Sequence, residues 1–132
     1  MIVVDASAVV DYVALRHVDT LPKRLTLGGT LHAPHLIDVE VTHAVRGLVA
    51  RGKLSVDGAF LARMDAAEMS ITLYPHALLL ERAWQLRDTL STYDAVYVAL
   101  AELLPAPLVT CDARLAATTG HDAEIELFAL DS

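Results

Sequence analysis

With 132 residues the chain is long enough for one domain, and its single cysteine excludes an internal disulfide and a multi-cysteine zinc site. Although 55% of the residues are hydrophobic and the mean hydropathy is +0.44, no apolar run approaches the ~18 residues that span a bilayer, and no basic segment typical of a signal peptide begins the chain. We therefore expect a cytoplasmic protein without membrane association. The formal charge of −7 is unfavourable for nucleic-acid binding unless bound divalent ions reverse the local sign.

Strand-like apolar runs alternate with helix-like segments along the chain. Strands are predicted at residues 2–5, 30–33, 70–74, 108–111 and 124–129. Helices are predicted at residues 6–16, 36–51, 56–68, 77–89, 93–104 and 113–118. This alternation predicts an α/β domain whose mainly parallel sheet is covered by helices on both faces.

Four carboxylates stand out against this pattern. Asp5 and Asp112 end the first and fourth strands, at the carboxyl edge where ligands bind in parallel α/β sheets. Asp94 begins an apolar helix, and Glu40 lies on the apolar side of helix 36–51. Carboxylates rarely enter apolar surroundings without a partner. Because no run of Lys or Arg accompanies these four, a metal cation is the more plausible partner.

Each acid also has a structural interpretation. Asp5, or Ser7 just after it, could cap the first helix, and Asp112 could cap the helix that follows it. Asp94 near a helix N-terminus gains from the helix dipole. A purely structural role for all four is less plausible than a shared site, because two of them also lie on apolar helix faces.

The segments around these acids carry a family resemblance. They are MIVVDASAVV (1–10), APHLIDVEVTHA (33–44), STYDAVYVALA (91–101) and LVTCDARL (108–115). Together they resemble the PIN domain, and more narrowly the VapC toxins of bacterial type II toxin–antitoxin pairs. The resemblance implies a single PIN domain over residues 1–132, with a three-layer α/β/α sandwich and a five-stranded parallel sheet in the order 3-2-1-4-5.

The resemblance also implies an endoribonuclease that depends on Mg²⁺ or Mn²⁺. Carried over by motif, Asp5 and Asp94 are the central metal ligands, Asp112 and Glu40 complete an acidic pocket, and Ser7 orients Asp5 or a bound water. Carboxylate oxygens suit these hard ions, and such a site needs no protein nucleophile. Some PIN domains carry a further acid shortly after the position of Asp112. Here Ala, Arg and Leu follow, which does not support a second ion held entirely by protein.

Other functions remain open at this point. A phosphatase-like phosphoaspartate enzyme also has acids at strand ends, but it needs a second aspartate where Ser7 stands, and a signalling receiver needs its acceptor near Tyr74. A PIN-like module that only binds a partner is the non-enzymatic alternative. Cys111 fits a core residue better than a nucleophile. Glu40 could pair with His43, but a di-iron site would need a second such pair in an all-helical frame.

The expected partners also follow from the resemblance. They are an RNA substrate, a cognate VapB-like antitoxin whose C-terminal segment enters the active site, and a second copy in a homodimer. The high apolar share of the chain fits such contacts. Residues 9–15 and 56–64 are candidates for the antitoxin groove, although both are equally consistent with helices that face the core.

Overall fold

The computed structural model describes residues 1–129, so the last three residues of the predicted 1–132 domain lie outside the described part. Its five strands all run parallel in the order β3-β2-β1-β4-β5. They are β1 (Ile2–Val4), β2 (Leu31–Pro34), β3 (Ile71–Tyr74), β4 (Leu108–Thr110) and β5 (Ile125–Leu127). The three-layer architecture and the strand order are therefore confirmed.

Seven α-helices flank the sheet in the described residues. They are α1 (Ala6–Val10), α2 (Leu21–Leu27), α3 (Leu36–Ala50), α4 (Val56–Glu68), α5 (Leu80–Gln85), α6 (Thr92–Leu103) and α7 (Ala113–Ala116). None of the helices found there is both long and apolar enough to cross a membrane.

The core explains why β1 and α6 dominate the sequence pattern. Every residue of β1 is fully buried, because the strand lies in the middle of the sheet with partners on both sides. Helix α6 packs on β1, β2 and β4 and against α5, and its residues 95–101 are all buried. This middle part of α6 therefore has no polar face, whereas Asp94 at the start of the helix is only partly buried.

The first predicted helix, 6–16, divides into two parts. Helix α1 continues into a π-helical turn, Asp11–Leu15, which ends at Arg16 in the left-handed region with φ of 54°. The buried Asp11 carboxylate accepts the backbone N–H groups of His17 and Val18, at 3.1 and 3.2 Å. This side chain satisfies the backbone where the helix stops.

Two further segments differ from the prediction. Helix α2 was not predicted, although Leu21 and Leu25 are both buried at a spacing of one helical turn. The predicted helix 77–89 is a 3-10 turn, His76–Leu78, followed by the short α5. The other element bounds agree with the prediction to within about two residues.

Candidate active site

Asp5 lies where β1 ends and α1 begins, and its carboxylate is held by uncharged donors. Oδ1 accepts the Ser7 hydroxyl at 2.7 Å and the Ala8 N–H at 3.0 Å, and Oδ2 accepts the Thr110 hydroxyl at 2.6 Å. The residue is only 7% exposed. Burial raises the pKa of Asp5 from 3.8 to about 6, and these three hydrogen bonds oppose the rise only in part. Asp5 therefore caps α1, as its structural interpretation predicted, and is also a buried acid whose charged form is disfavoured.

The carboxyl end of β4 meets Asp5 through Thr110 and Ser7. The parallel register pairs β1 with β4, which sets the two strand ends side by side. Thr110 Oγ1 accepts the Asp112 N–H at 3.0 Å while it donates to Asp5, and Ser7 Oγ accepts the Cys111 N–H at 2.9 Å. Thr110 was not predicted from sequence as a functional residue. In the sequence Thr110 is only a hydroxyl residue near the end of an apolar run, and its complete burial is visible only in the structure.

Glu40 reaches the same edge of the sheet from α3. Its Oε1 accepts the phenolic hydroxyl of Tyr97 at 2.6 Å, and no hydrogen bond joins it to His43 in the described residues. Partial burial raises the pKa of Glu40, and the charge of Asp94 adds to the rise. The pKa of Tyr97 is raised by its own burial and by Glu40, so this residue stays a donor. Tyr97 was also missed from sequence, because it lies within the apolar run of α6.

Asp94 and Asp112 are joined by one arginine. Arg114 Nη2 donates to Asp94 Oδ2 at 2.8 Å and to Asp112 Oδ2 at 3.1 Å. Asp112 also caps α7, because its Oδ1 accepts the N–H groups of Arg114 and Leu115 at 2.9 and 3.4 Å. The Arg114 side chain is 67% exposed, whereas those of Asp94 and Asp112 are 19% and 32% exposed.

Three of the four carboxylates that the sequence singled out are connected by hydrogen bonds: Thr110 links Asp5 with the Asp112 N–H, and Arg114 links Asp112 with Asp94. The charge of Asp112 raises the pKa of Asp5, and the charges of Asp5 and Asp94 both act on the Tyr97 hydroxyl. Within residues 1–129, however, no three acidic, histidine or cysteine side chains lie close enough to hold one ion as they stand. We name the set Asp5, Glu40, Asp94 and Asp112 the acidic pocket.

An apolar groove of about 910 Å³ borders the acidic pocket, with Glu40 and Ser7 in its lining. One wall comes from the first helical region through Val10 and Leu15, which belong to the predicted segment 9–15. The other wall is α3, not the predicted segment 56–64, which contributes no lining residue. The apolar lining of this groove includes Leu36, Val39, Tyr93 and Phe128.

Comparison with known proteins agrees with this architecture. The family model of the PIN domain matches residues 2–120. The chain belongs to the PIN-domain family. Ribonuclease VapC12 of Mycobacterium tuberculosis is 42% identical over 129 residues, covering 98% of this chain and all of that protein. Ribonuclease VapC1 of the same organism is 45% identical over 128 residues, 95% of this chain and 96% of its own. Within the PIN family the chain is thus a member of the VapC group.

A solved structure supports the same fold. The crystal structure of PAE2754 from Pyrobaculum aerophilum superposes with a TM-score of 0.69 at 25% sequence identity. The match covers 94% of this chain and 81% of that one. The backbone of the α/β/α sandwich described above therefore has the same fold as this solved structure.

Proposed function

We propose that this protein is the toxin of a type II toxin–antitoxin pair and acts as an endoribonuclease that depends on Mg²⁺ or Mn²⁺. The activity is supported by relatives that are named ribonucleases and match nearly the whole chain. The metal site is supported by one observation above others. Asp5 is a deeply buried carboxylate that receives hydroxyl and amide donors but no basic partner in residues 1–129. A cation is the partner such a group lacks.

The donor set fits these ions. Asp5 and Asp94 are proposed as the central ligands, with Asp112 and Glu40 completing the pocket and Ser7 orienting Asp5. All are hard oxygen donors, which suit Mg²⁺ and Mn²⁺. The guanidinium of Arg114 between Asp94 and Asp112 indicates that a cation is favourable at this place. A bound ion would supply neutralisation of the scissile phosphate and would acidify a water molecule.

The protein's own side chains would prepare that step. Ser7 and Thr110 hold Asp5 in one orientation through hydrogen bonds to both of its oxygens. In residues 1–129 only Oε1 of Glu40 accepts a hydrogen bond, from Tyr97, and the pKa of Glu40 is raised, so Oε2 can accept a proton from the attacking water. We assign a positioning role to Ser7 and Thr110 and a proton-accepting role to Glu40.

Cleavage of RNA by the purified protein tests the proposal. Total bacterial RNA should be cut in the presence of Mg²⁺ or Mn²⁺, and cutting should stop with EDTA and return when the metal is restored. Asp94→Asn should be inactive, whereas Asp57→Asn, an exposed acid on α4, should cut like the parent protein. Cleavage that persists in EDTA would refute metal dependence.

We further propose that the protein acts in the cytoplasm as a homodimer with one PIN domain per chain.

We also propose that the apolar groove binds the C-terminal segment of a cognate VapB-like antitoxin. Val39 lines the groove and is 67% exposed, and Val56 on α4 is 73% exposed but lies outside it. Expression of the protein alone should arrest bacterial growth, and the antitoxin should restore growth. Val39→Lys should weaken the complex and Val56→Lys should not. Equal weakening by both would contradict the assignment of this groove.

A further inference from the structure

Arg114 occupies an unusual position for a basic residue near a proposed cation site. Among residues 1–129 it is the only basic side chain within hydrogen-bond distance of any carboxylate of the acidic pocket. A single nitrogen, Nη2, contacts both Asp94 and Asp112. One positive charge thus bridges two acids from different elements, α6 and the start of α7.

The oxygens that Arg114 takes are those available to an ion. Asp112 Oδ1 already accepts two amides of α7, so Oδ2 is its free oxygen, and Nη2 binds this atom. The Asp94 carboxylate accepts no hydrogen bond other than that of Arg114 in the described residues, and this bond is again to Oδ2. A guanidinium and a divalent ion cannot both use these two oxygens at full strength, because their positive charges would repel each other at short range.

We propose that Arg114 is an internal counter-ion that competes with the divalent metal for Asp94 and Asp112, so that metal binding requires its guanidinium to leave. This inference rests on the proposed metal site. In the metal-free protein Arg114 offsets the repulsion between neighbouring carboxylates, and in the metal-bound protein the ion takes over that role.

Local structure allows the exchange. The Arg114 side chain is 67% exposed and lies in the first turn of the short helix α7. Its backbone N–H is held by Asp112 Oδ1, whereas the guanidinium makes hydrogen bonds only to the two acids in residues 1–129. The side chain can therefore swing into solvent while α7 keeps its cap and Leu115 stays in the core.

Removing Arg114 should strengthen metal binding. Titration of Mn²⁺ into the metal-free protein, followed by calorimetry and by loss of the electron paramagnetic resonance signal of free Mn²⁺, gives the dissociation constant without any RNA. Arg114→Gln should bind Mn²⁺ about three- to tenfold more tightly, the range expected for the loss of one or two competing exposed ion pairs. Arg114→Lys keeps the charge, and its Mn²⁺ affinity should lie between those of the parent protein and Arg114→Gln.

A charge control separates local competition from net charge. Arg63→Gln on α4 removes the same charge, but α4 contributes no residue to the acidic pocket. Its Mn²⁺ affinity should equal that of the parent protein. Thermal unfolding gives a second readout: Arg114→Gln should melt lower than the parent in EDTA and should gain more stability from a given Mn²⁺ concentration.

The outcomes distinguish this inference from the proposed function. Equal or weaker Mn²⁺ binding by Arg114→Gln, with normal binding by the parent, would overturn the competition while the metal site stands. Tighter binding by Arg63→Gln to the same extent would also overturn it, because net charge would then be the cause. Mn²⁺ binding at the acidic pocket should be abolished by Asp94→Asn. If the parent protein and Arg114→Gln show no binding of this kind, both the metal site and the inference fail.

Discussion

Replacing Asp5 with Asn should make the metal-free protein more stable at neutral pH. Asn keeps the shape of the side chain, and its carbonyl oxygen can still accept the Ser7 hydroxyl and the Ala8 N–H. Its amide can donate to Thr110 Oγ1, which is the reverse of the present bond. What the substitution removes is a charge buried to 7% exposure.

The expected magnitude follows from the pKa. Burial raises the pKa of Asp5 in the folded protein from 3.8 to about 6. A carboxyl with a raised folded pKa contributes full stability below its unfolded pKa and loses that contribution as pH rises through the folded pKa. At about 1.36 kcal/mol per pKa unit, the loss is about 1 kcal/mol at pH 4.5 and about 3 kcal/mol at pH 7.5.

Urea unfolding in EDTA at pH 4.5, 6.0 and 7.5 measures the effect. The free energy of unfolding of Asp5→Asn minus that of the parent should grow over this range, from about 1 to about 3 kcal/mol. Using the difference between the two proteins cancels the opposite slopes from acids such as Glu102 and Glu126, whose pKa values are lowered by arginine partners. A difference that is flat with pH, or that favours the parent at pH 7.5, would refute the reasoning.

Three further substitutions test the contacts of the acidic pocket. Thr110→Val should destabilise the protein by about 1.5–3 kcal/mol in urea unfolding, because a bond to buried Asp5 is lost, whereas Thr110→Ser should not. Tyr97→Phe should raise the pKa of Glu40 further and move the acidic limb of the cleavage rate to higher pH, and an unmoved limb would exclude Glu40 as the proton acceptor. Asp94→Asn should abolish cleavage with little change in thermal stability in EDTA, since its arginine partner is exposed; a large loss would make it a structural residue.

The alternation of the chain was enough to predict the α/β class, and the resemblance supplied the strand order. Helix α2 was missed because it has seven residues with Pro22 in its first turn, and its two buried leucines are too few to give a clear helical period. The prediction of one continuous helix over residues 77–89 was wrong, because the spacing of apolar residues cannot show where a 3-10 turn replaces α-helical geometry. Leu86 and Leu90 are buried as a helix would require, yet both lie beyond the end of α5.

The acids of the candidate site were visible from sequence because carboxylates at strand ends and on apolar helix faces conflict with their surroundings. The residues that hold them were not visible. Thr110 ends a strand and Tyr97 lies in an apolar helix, and both residue types are ordinary there. Only the parallel register of β1 with β4, and the packing of α6 on the sheet, turn their hydroxyls towards Asp5 and Glu40.

The kind of donor at each acid bears on how the pocket works. Hydroxyl and amide donors orient Asp5 and Glu40 but do not neutralise their charge. When ionised, both carboxylates are therefore still stabilised by a nearby cation. An arginine fixed beside Asp5 would neutralise its charge permanently and would lower its pKa instead of leaving it at about 6. The one basic group in the described part of the pocket, Arg114, is instead exposed and bound only to the two outer acids. We infer that this arrangement, a buried and oriented Asp5 with an exposed arginine on Asp94 and Asp112, suits the reversible metal binding proposed above.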